Sequence, residues 1–210
     1  MHDLLRGPGE LAASLDKALA AAPHEHTRTD SWLFVYGSML EEPPFSPSER
    51  RLATLVGWTR RFCLTDPKMR GTVRRPGLSL GLVRGRDCRG IAYRISARTV
   101  REALLRVWER EMVLPFYVPC WLETRTHEGP LRVLTFCTDP GGPLHEPTPE
   151  PMEMLHRLAW CEGERGSNAD YIQETVQQLA SAGIPDPELT RLAEHVRAAR
   201  AQGGGGRAQT

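Results

Sequence analysis

Short runs of apolar residues, each closed by a glycine or a turn, organise the chain from residue 31 onward. Trp32-Leu33-Phe34-Val35-Tyr36 is aromatic and β-branched and stops at Gly37, so it predicts a buried strand that ends in a tight turn. Leu52–Thr65 predicts a second strand region, with Gly57 as a bend or bulge. Leu78–Val83, Gly90–Ile95, Phe116–Thr124 and Leu131–Cys137 predict four more, the last two separated by Glu128-Gly129-Pro130. Many short strands with few helices between them favour an antiparallel sheet or small barrel over βαβ units. A helical period replaces the strand pattern from Thr99 to about Met112 and again late in the chain. Glu150–Cys161 predicts one late helix. Ser167-Asn168-Ala169-Asp170 caps another that ends at Gly183, and Asp186-Pro187-Glu188 starts a third.

The first of these helices carries a carboxylate where the pattern calls for an apolar residue. Its apolar positions are 100, 103, 104, 107, 108 and 112, the stripe of a helix packed on a core. Position 111 continues the stripe and holds Glu111. At roughly 100° per residue Glu111 falls within about 20° of Val100, whereas Glu109 lies about 180° away. A carboxylate on a buried face is costly unless paired or neutralised. Three readings stand at this point: exposure where the helix frays, a structural ion pair, or a catalytic acid/base whose pKa is raised by burial.

The ends of the chain have a different texture. Residues 1–30 form an extension outside the strand pattern, with a possible helix over Gly9–Ala22 broken by Pro23. His24 and His26 in that connector lack the cysteine or carboxylate companions of a metal site. Residues 201–210 read as a flexible glycine-rich tail, which leaves 31–200 as the folded body.

Composition removes whole classes of function. With 27 Lys+Arg against 26 Asp+Glu in 210 residues, the net charge of +1 argues against a nucleic-acid binder. No run approaches the roughly 20 apolar residues of a membrane span, and the N-terminus lacks the order of a signal peptide, so a cytoplasmic location without membrane association is expected. The five cysteines are odd in number and form no CxxC, so they read as reduced, mostly core residues. No metal and no cofactor is expected, because GxGxxG and GxxxxGK[ST] are both absent and no compact ligand cluster occurs. The turn Tyr36-Gly37-Ser38-Met39 can aim successive N–H groups at an anion or carbonyl oxygen. It is not a serine-hydrolase elbow, since Gly37 precedes Ser38 directly and no G-x-S-x-G frames it.

Taken together these segments resemble the ChaC family, the glutathione-specific γ-glutamylcyclotransferases. The strand and Tyr36-Gly37-Ser38-Met39 resemble its Y-G-S-L loop. Gly57-Trp58-Thr59-Arg60-Arg61-Phe62-Cys63, Arg70-Gly71-Thr72 with Arg75–Leu82, and Cys88–Ile95 follow in the family's order. Trp108-Glu109-Arg110-Glu111-Met112 with Tyr117 resembles the block that carries the catalytic glutamate, and Gly163, Gly166, Asn168 and Tyr171 match a late G-x-x-G-x-N-x-x-Y block. The resemblance spans about residues 31–197. Met39 stands for the usual Leu, Val35 and Phe116 each replace a common Gly, and Glu41-Glu42-Pro43 stands where a Trp is usual.

The resemblance implies an α+β fold: a small, mostly antiparallel β-barrel with flanking helices. It implies cleavage of glutathione to 5-oxoproline and Cys-Gly, the substrate's own amine attacking its γ-carbonyl, with Glu111 as general acid/base. Tyr36, Gly37, Ser38 and Met39 would then bind substrate through their backbone, and Tyr117, Tyr171 and Arg70 through side chains. For both tyrosines core packing is the alternative, and for Arg70 a surface ion pair. Two other functions compete: a cyclotransferase for other γ-glutamyl amino acids or amines, and a non-catalytic ligand-binding protein on the same fold.

Overall fold

The computed structural model describes residues 4–23 and 30–204. His24, His26 and the last six residues of the glycine-rich tail lie outside the described residues. The chain divides into two compact units, Met1–Arg61 with Gly81–His145, and Phe62–Leu80 with Glu146–Thr210.

A closed β-barrel of order β1-β3-β2-β4-β5 underlies the fold, from strands β1 (Ser31–Val35), β2 (Glu49–Asp66), β3 (Gly77–Ile95), β4 (Tyr117–Thr126) and β5 (Gly129–Thr138). Strand β1 runs antiparallel to β3, with Ser31 opposite Ile95 and Val35 opposite Ile91. Its other edge lies parallel to β5 at Leu33 and Leu134, and β4 pairs antiparallel with both β2 and β5. The barrel is therefore mixed but mostly antiparallel, as the resemblance implies, and closure leaves no free strand edge to manage.

In the first unit the strand alternation sorts side chains cleanly. Trp32, Phe34, Tyr36, Leu55, Leu82, Ala92 and Val133 form one buried cluster. Phe136 faces the opposite way and packs against Trp108 of helix α2 (Val100–Glu111), ring centroids 5.0 Å apart. The apolar stripe read from the sequence is the buried face of α2: Ala103, Leu104, Val107 and Trp108 are buried, as is Met112 just beyond it. Helix α1 (Pro8–Ala20) buries Leu11, Leu15 and Ala18 and packs against α2. The Trp108 indole N–H donates to Ser14 Oγ at 3.4 Å, and the Trp121 indole N–H donates to the Ala18 carbonyl at 3.0 Å.

One expectation changes here. Leu78–Val83 and Gly90–Ile95 are not separate strands; β3 is continuous through the polar stretch between them. Residues 84–87 are exposed there, and extended backbone persists without an apolar pattern because β3 is paired within the barrel, with Arg84 lying over the Trp58 ring of β2 at 4.1 Å. Gly90 is required by space: a Cβ there would sit 2.3 Å from the Val35 carbonyl oxygen and against the Phe34 ring.

The second unit contains helices α3 (Pro151–Trp160), α4 (Asn168–Ser181) and α5 (Pro187–Gly204), and the short ribbon β6 (Glu162–Gly163) and β7 (Gly166–Ser167). Ser167 caps α4 by accepting from the Asp170 N–H, and Gly183 follows it with φ 74°. Asn168, fully buried, donates to the Leu78 carbonyl and accepts from the Leu78 N–H, so its amide reads backbone like a strand neighbour. Asp66 is equally buried and is satisfied by the N–H groups of Lys68 and Met69 and the Ser79 hydroxyl. Among the described residues no helix is long and apolar enough to cross a membrane.

Candidate active site

The turn after β1 is held from three sides within the first unit. The Arg60 guanidinium, itself buried, donates to the carbonyls of Tyr36 and Arg89. The Tyr93 hydroxyl donates to the Leu40 carbonyl at 2.6 Å. Arg110 Nη2 donates to the Ser38 carbonyl at 2.8 Å. The Leu40 N–H closes the turn on the Gly37 carbonyl at 3.1 Å. The Tyr36 ring lies in the barrel cluster, and its hydroxyl donates to the Phe136 carbonyl at 2.8 Å.

These contacts orient the N–H groups. In a trans peptide the C=O of one residue and the N–H of the next point opposite ways. Carbonyls of Tyr36 and Ser38 drawn to Arg60 and Arg110 therefore turn the N–H groups of Gly37 and Met39 away from those arginines. The Gly37 carbonyl, drawn to Leu40, does the same for Ser38. Among the described residues no backbone carbonyl is recorded as accepting from these three N–H groups. Gly37 does not use left-handed torsions; positive φ occurs at Gly57, Gly129, Gly166 and Gly183. Gly37 is buried, so any larger side chain there would have to find room inside the turn.

Glu111 is the last residue of α2, and its side chain is 15% exposed, while Glu109 on the opposite face is exposed. Fraying into solvent is overturned: the apolar stripe carries the carboxylate inward. Ser38 Oγ donates to Glu111 Oε1 at 3.5 Å, and Arg110 Nε stands 3.4 Å from the same oxygen. Arg110 therefore joins the helix end to the turn, pairing with Glu111 and holding the Ser38 carbonyl. Tyr117 opens β4 six residues later, buried, with its ring 5.7 Å from Phe116 and 6.2 Å from Phe136.

Of the residues singled out from sequence, the first unit brings Tyr36, Gly37, Ser38, Met39 and Glu111 together. Arg70 and Tyr171 belong to the second unit and meet there, the guanidinium 4.4 Å from the ring centre. Arg70 Nη1 donates to the Arg165 carbonyl at 2.6 Å, and Tyr171 also packs edge-on against Phe62 at 5.9 Å. Burial pulls the Arg70 pKa down from its ordinary value, against the favourable influence of Tyr171, Glu174 and Asp66. Arg70 makes this stacked, carbonyl-bonded arrangement in place of a simple surface ion pair.

Sequence reasoning missed Arg60 and Arg110 as site residues. Arg110 adjoins Glu111 and Arg60 lies in the Gly57–Cys63 block, but a charge in a charge-rich segment reads as solvated face. The one signal available was Arg60 in an alternating strand, where its register matches buried neighbours. Tyr93 gave no signal beyond its aromatic strand context.

The family of ChaC-like proteins matches residues 31–199 of this chain. The glutathione-specific gamma-glutamylcyclotransferase of Escherichia coli (strain K12) is 34% identical over 197 residues, which cover 93% of this chain and 84% of that protein. Glutathione-specific gamma-glutamylcyclotransferase 1 of Mus musculus is 31% identical over 173 residues, 79% of this chain and 77% of that one. Among solved structures, a yeast gamma-glutamyl cyclotransferase specific to glutathione superposes with a TM-score of 0.75 at 21% identity, covering 82% of this chain and 97% of that chain. At that identity the superposition speaks to fold, and it agrees with the barrel described above. Family match and identities at this coverage lead to one conclusion: the chain belongs to the ChaC family.

Proposed function

We propose that this protein is a glutathione-specific γ-glutamylcyclotransferase, a lyase that converts glutathione to 5-oxoproline and Cys-Gly. The observation that carries the reading is the juxtaposition of the Glu111 carboxylate with a turn whose successive N–H groups have no backbone acceptor among the described residues. That pairing supplies the two things the reaction needs. The α-amine of the γ-glutamyl group must lose a proton as it attacks the γ-carbonyl carbon, and the Cys-Gly nitrogen must gain one as the C–N bond breaks. Glu111 takes the first proton and delivers the second, so one carboxylate serves both steps. The carbonyl oxygen gains negative charge between them, and N–H donors from Gly37, Ser38 and Met39 stabilise it, worth about 3 kcal/mol for each well-aimed donor.

The nucleophile is the substrate's own amine, so no protein nucleophile is invoked. Ser38 fits this division of labour: its hydroxyl donates to Glu111 and steadies the carboxylate, while its backbone serves the oxyanion. The remaining task is to hold the flexible γ-glutamyl chain in a ring-closing shape, where orientation gives a large effective molarity. The buried Tyr117 at the start of β4 is the candidate for that role in the first unit. The reading assigns no step to Arg70 or Tyr171. It places catalysis in the body of residues 31–200 and, with five free cysteines, in the cytoplasm.

Substrate choice is tested by comparing turnover of glutathione with that of γ-glutamyl-alanine. Strong preference for glutathione is expected. Equal or better turnover of γ-glutamyl-alanine would replace the reading with a cyclotransferase of other γ-glutamyl amines.

A further inference from the structure

Arg110 Nε is buried and makes no hydrogen bond among the described residues. A buried donor left unsatisfied is costly, so it calls for a reason. Its surroundings supply one. Nε stands 3.4 Å from Glu111 Oε1, the oxygen to which Ser38 Oγ donates at 3.5 Å. The other end of the same guanidinium is firmly held: Nη2 donates to the Ser38 carbonyl at 2.8 Å.

Helix geometry alone does not produce this contact. Consecutive helical residues point about 100° apart and do not face each other. Arg106, one turn earlier, pairs in the ordinary way with Glu102 four residues back, both exposed. Arg110 instead reaches from the end of α2 to the turn after β1, and the bond to the Ser38 carbonyl holds it there. Val107 and Trp108, both fully buried, fix the helix from which it reaches.

We propose, resting on the cyclotransferase reading, that Arg110 is a positioning residue: its guanidinium spaces the Glu111 carboxylate from the oxyanion turn, and its Nε–H closes on Glu111 when substrate binds. Catalytic hydrogen bonds are often long without substrate and tighten in the substrate complex. Both groups must act around one γ-carbonyl. The carboxylate moves protons at the two nitrogens that exchange places on its carbon. The Met39 N–H, whose direction the Ser38 carbonyl sets, meets its oxygen. A guanidinium is planar and its donors form a fixed fork, so one side chain sets both positions. A misplacement of about 1 Å at such a site can cost about 10²-fold in rate. Lysine cannot take over, because its ammonium is a point charge on a flexible stem that meets one partner without fixing the other.

The test is steady-state release of 5-oxoproline from glutathione by Arg110→Lys and Arg110→Ala, with melting temperatures measured alongside. Both variants should lose about tenfold or more in kcat, while KM moves far less and the melting temperature stays near that of the unaltered protein. Guanidinium added at non-denaturing concentration should restore Arg110→Ala several-fold. Methylammonium, which carries the charge without the fork, should not, and neither cation should help Glu111→Gln. Arg110→Lys keeps length and charge, so it carries the test even if Arg110→Ala folds poorly. A Lys variant with unaltered kcat overturns the proposal. So does a loss of activity that follows the melting temperature and ignores guanidinium, the mark of a merely structural role. If the unaltered protein releases no 5-oxoproline, the cyclotransferase reading fails and this inference with it. If the unaltered protein and Arg110→Lys are equally active, this inference alone fails.

Discussion

Glu111 concentrates the account at the scale of single residues. Glu111→Gln keeps nearly the same volume, so packing at the end of α2 should survive, but the amide cannot take a proton. We expect kcat to fall by about 10²-fold or more, with KM changed far less. Glu109→Gln, on the exposed face, is expected to leave both constants unchanged. If the Glu111 variant keeps more than a tenth of the activity, the acid/base role is excluded. The turn gives a second contrast. Ser38→Ala keeps the backbone N–H groups and loses one 3.5 Å contact to Glu111, so a partial loss of activity is expected. Gly37→Val adds bulk in a buried turn and should cost much more. A nucleophilic serine predicts the reverse, with Ser38→Ala inactive and a covalent γ-glutamyl adduct on the unaltered enzyme.

At the scale of elements, α2 was the most legible part of the chain, and for a physical reason. Helical periodicity is a local signal, so residues 100–112 revealed both their buried face and the carboxylate on it. Its contact with Ser38 was not legible, because Ser38 stands 73 positions away and only the tertiary fold joins them. The continuity of β3 was hidden for a related reason: its middle is polar, and the pairing that holds it comes from other strands of the barrel. The residues just before helix α1 brace the end of α2. The Arg6 N–H donates to the Val113 carbonyl at 2.9 Å, just past Glu111. Arg6→Pro removes that donor. It should lower kcat while leaving the melting temperature nearly unchanged, whereas Leu15→Ala, which empties a fully buried position, should cost about 2–5 kcal/mol of stability. Equal effects of the two variants on stability would show that the Arg6 contact is merely structural.

In the second unit, Glu146 provides an electrostatic prediction. Desolvation pulls its pKa up, but the bonds from Arg157 and Thr65 outweigh that and hold it below the ordinary carboxylate value. A lowered folded-state pKa adds stability above the unfolded value and loses it as pH falls through the folded one. The unaltered protein should therefore melt above Glu146→Gln at neutral pH, and the gap should close as the solution is acidified below the normal carboxylate range. A gap independent of pH would mean that the ion pair contributes through packing alone.

For the molecule as a whole, the barrel, the order of its elements and the family followed from short blocks spread over residues 31–197, each weak alone and informative in order. The arginines that brace the turn did not, since their role depends on which carbonyls the fold carries to them. Among the described residues no group of three or more His, Cys, Asp or Glu side chains is placed to hold a metal ion. Activity is accordingly expected to withstand EDTA; loss on chelation, restored by zinc or manganese, would reveal a missed site. The central claim is attack by the substrate's own amine, and product identity tests it most directly. Purified protein incubated with reduced glutathione should release 5-oxoproline and Cys-Gly in equal amounts, with no free glutamate. Release of glutamate in place of 5-oxoproline would mean that water is the nucleophile and would contradict the account.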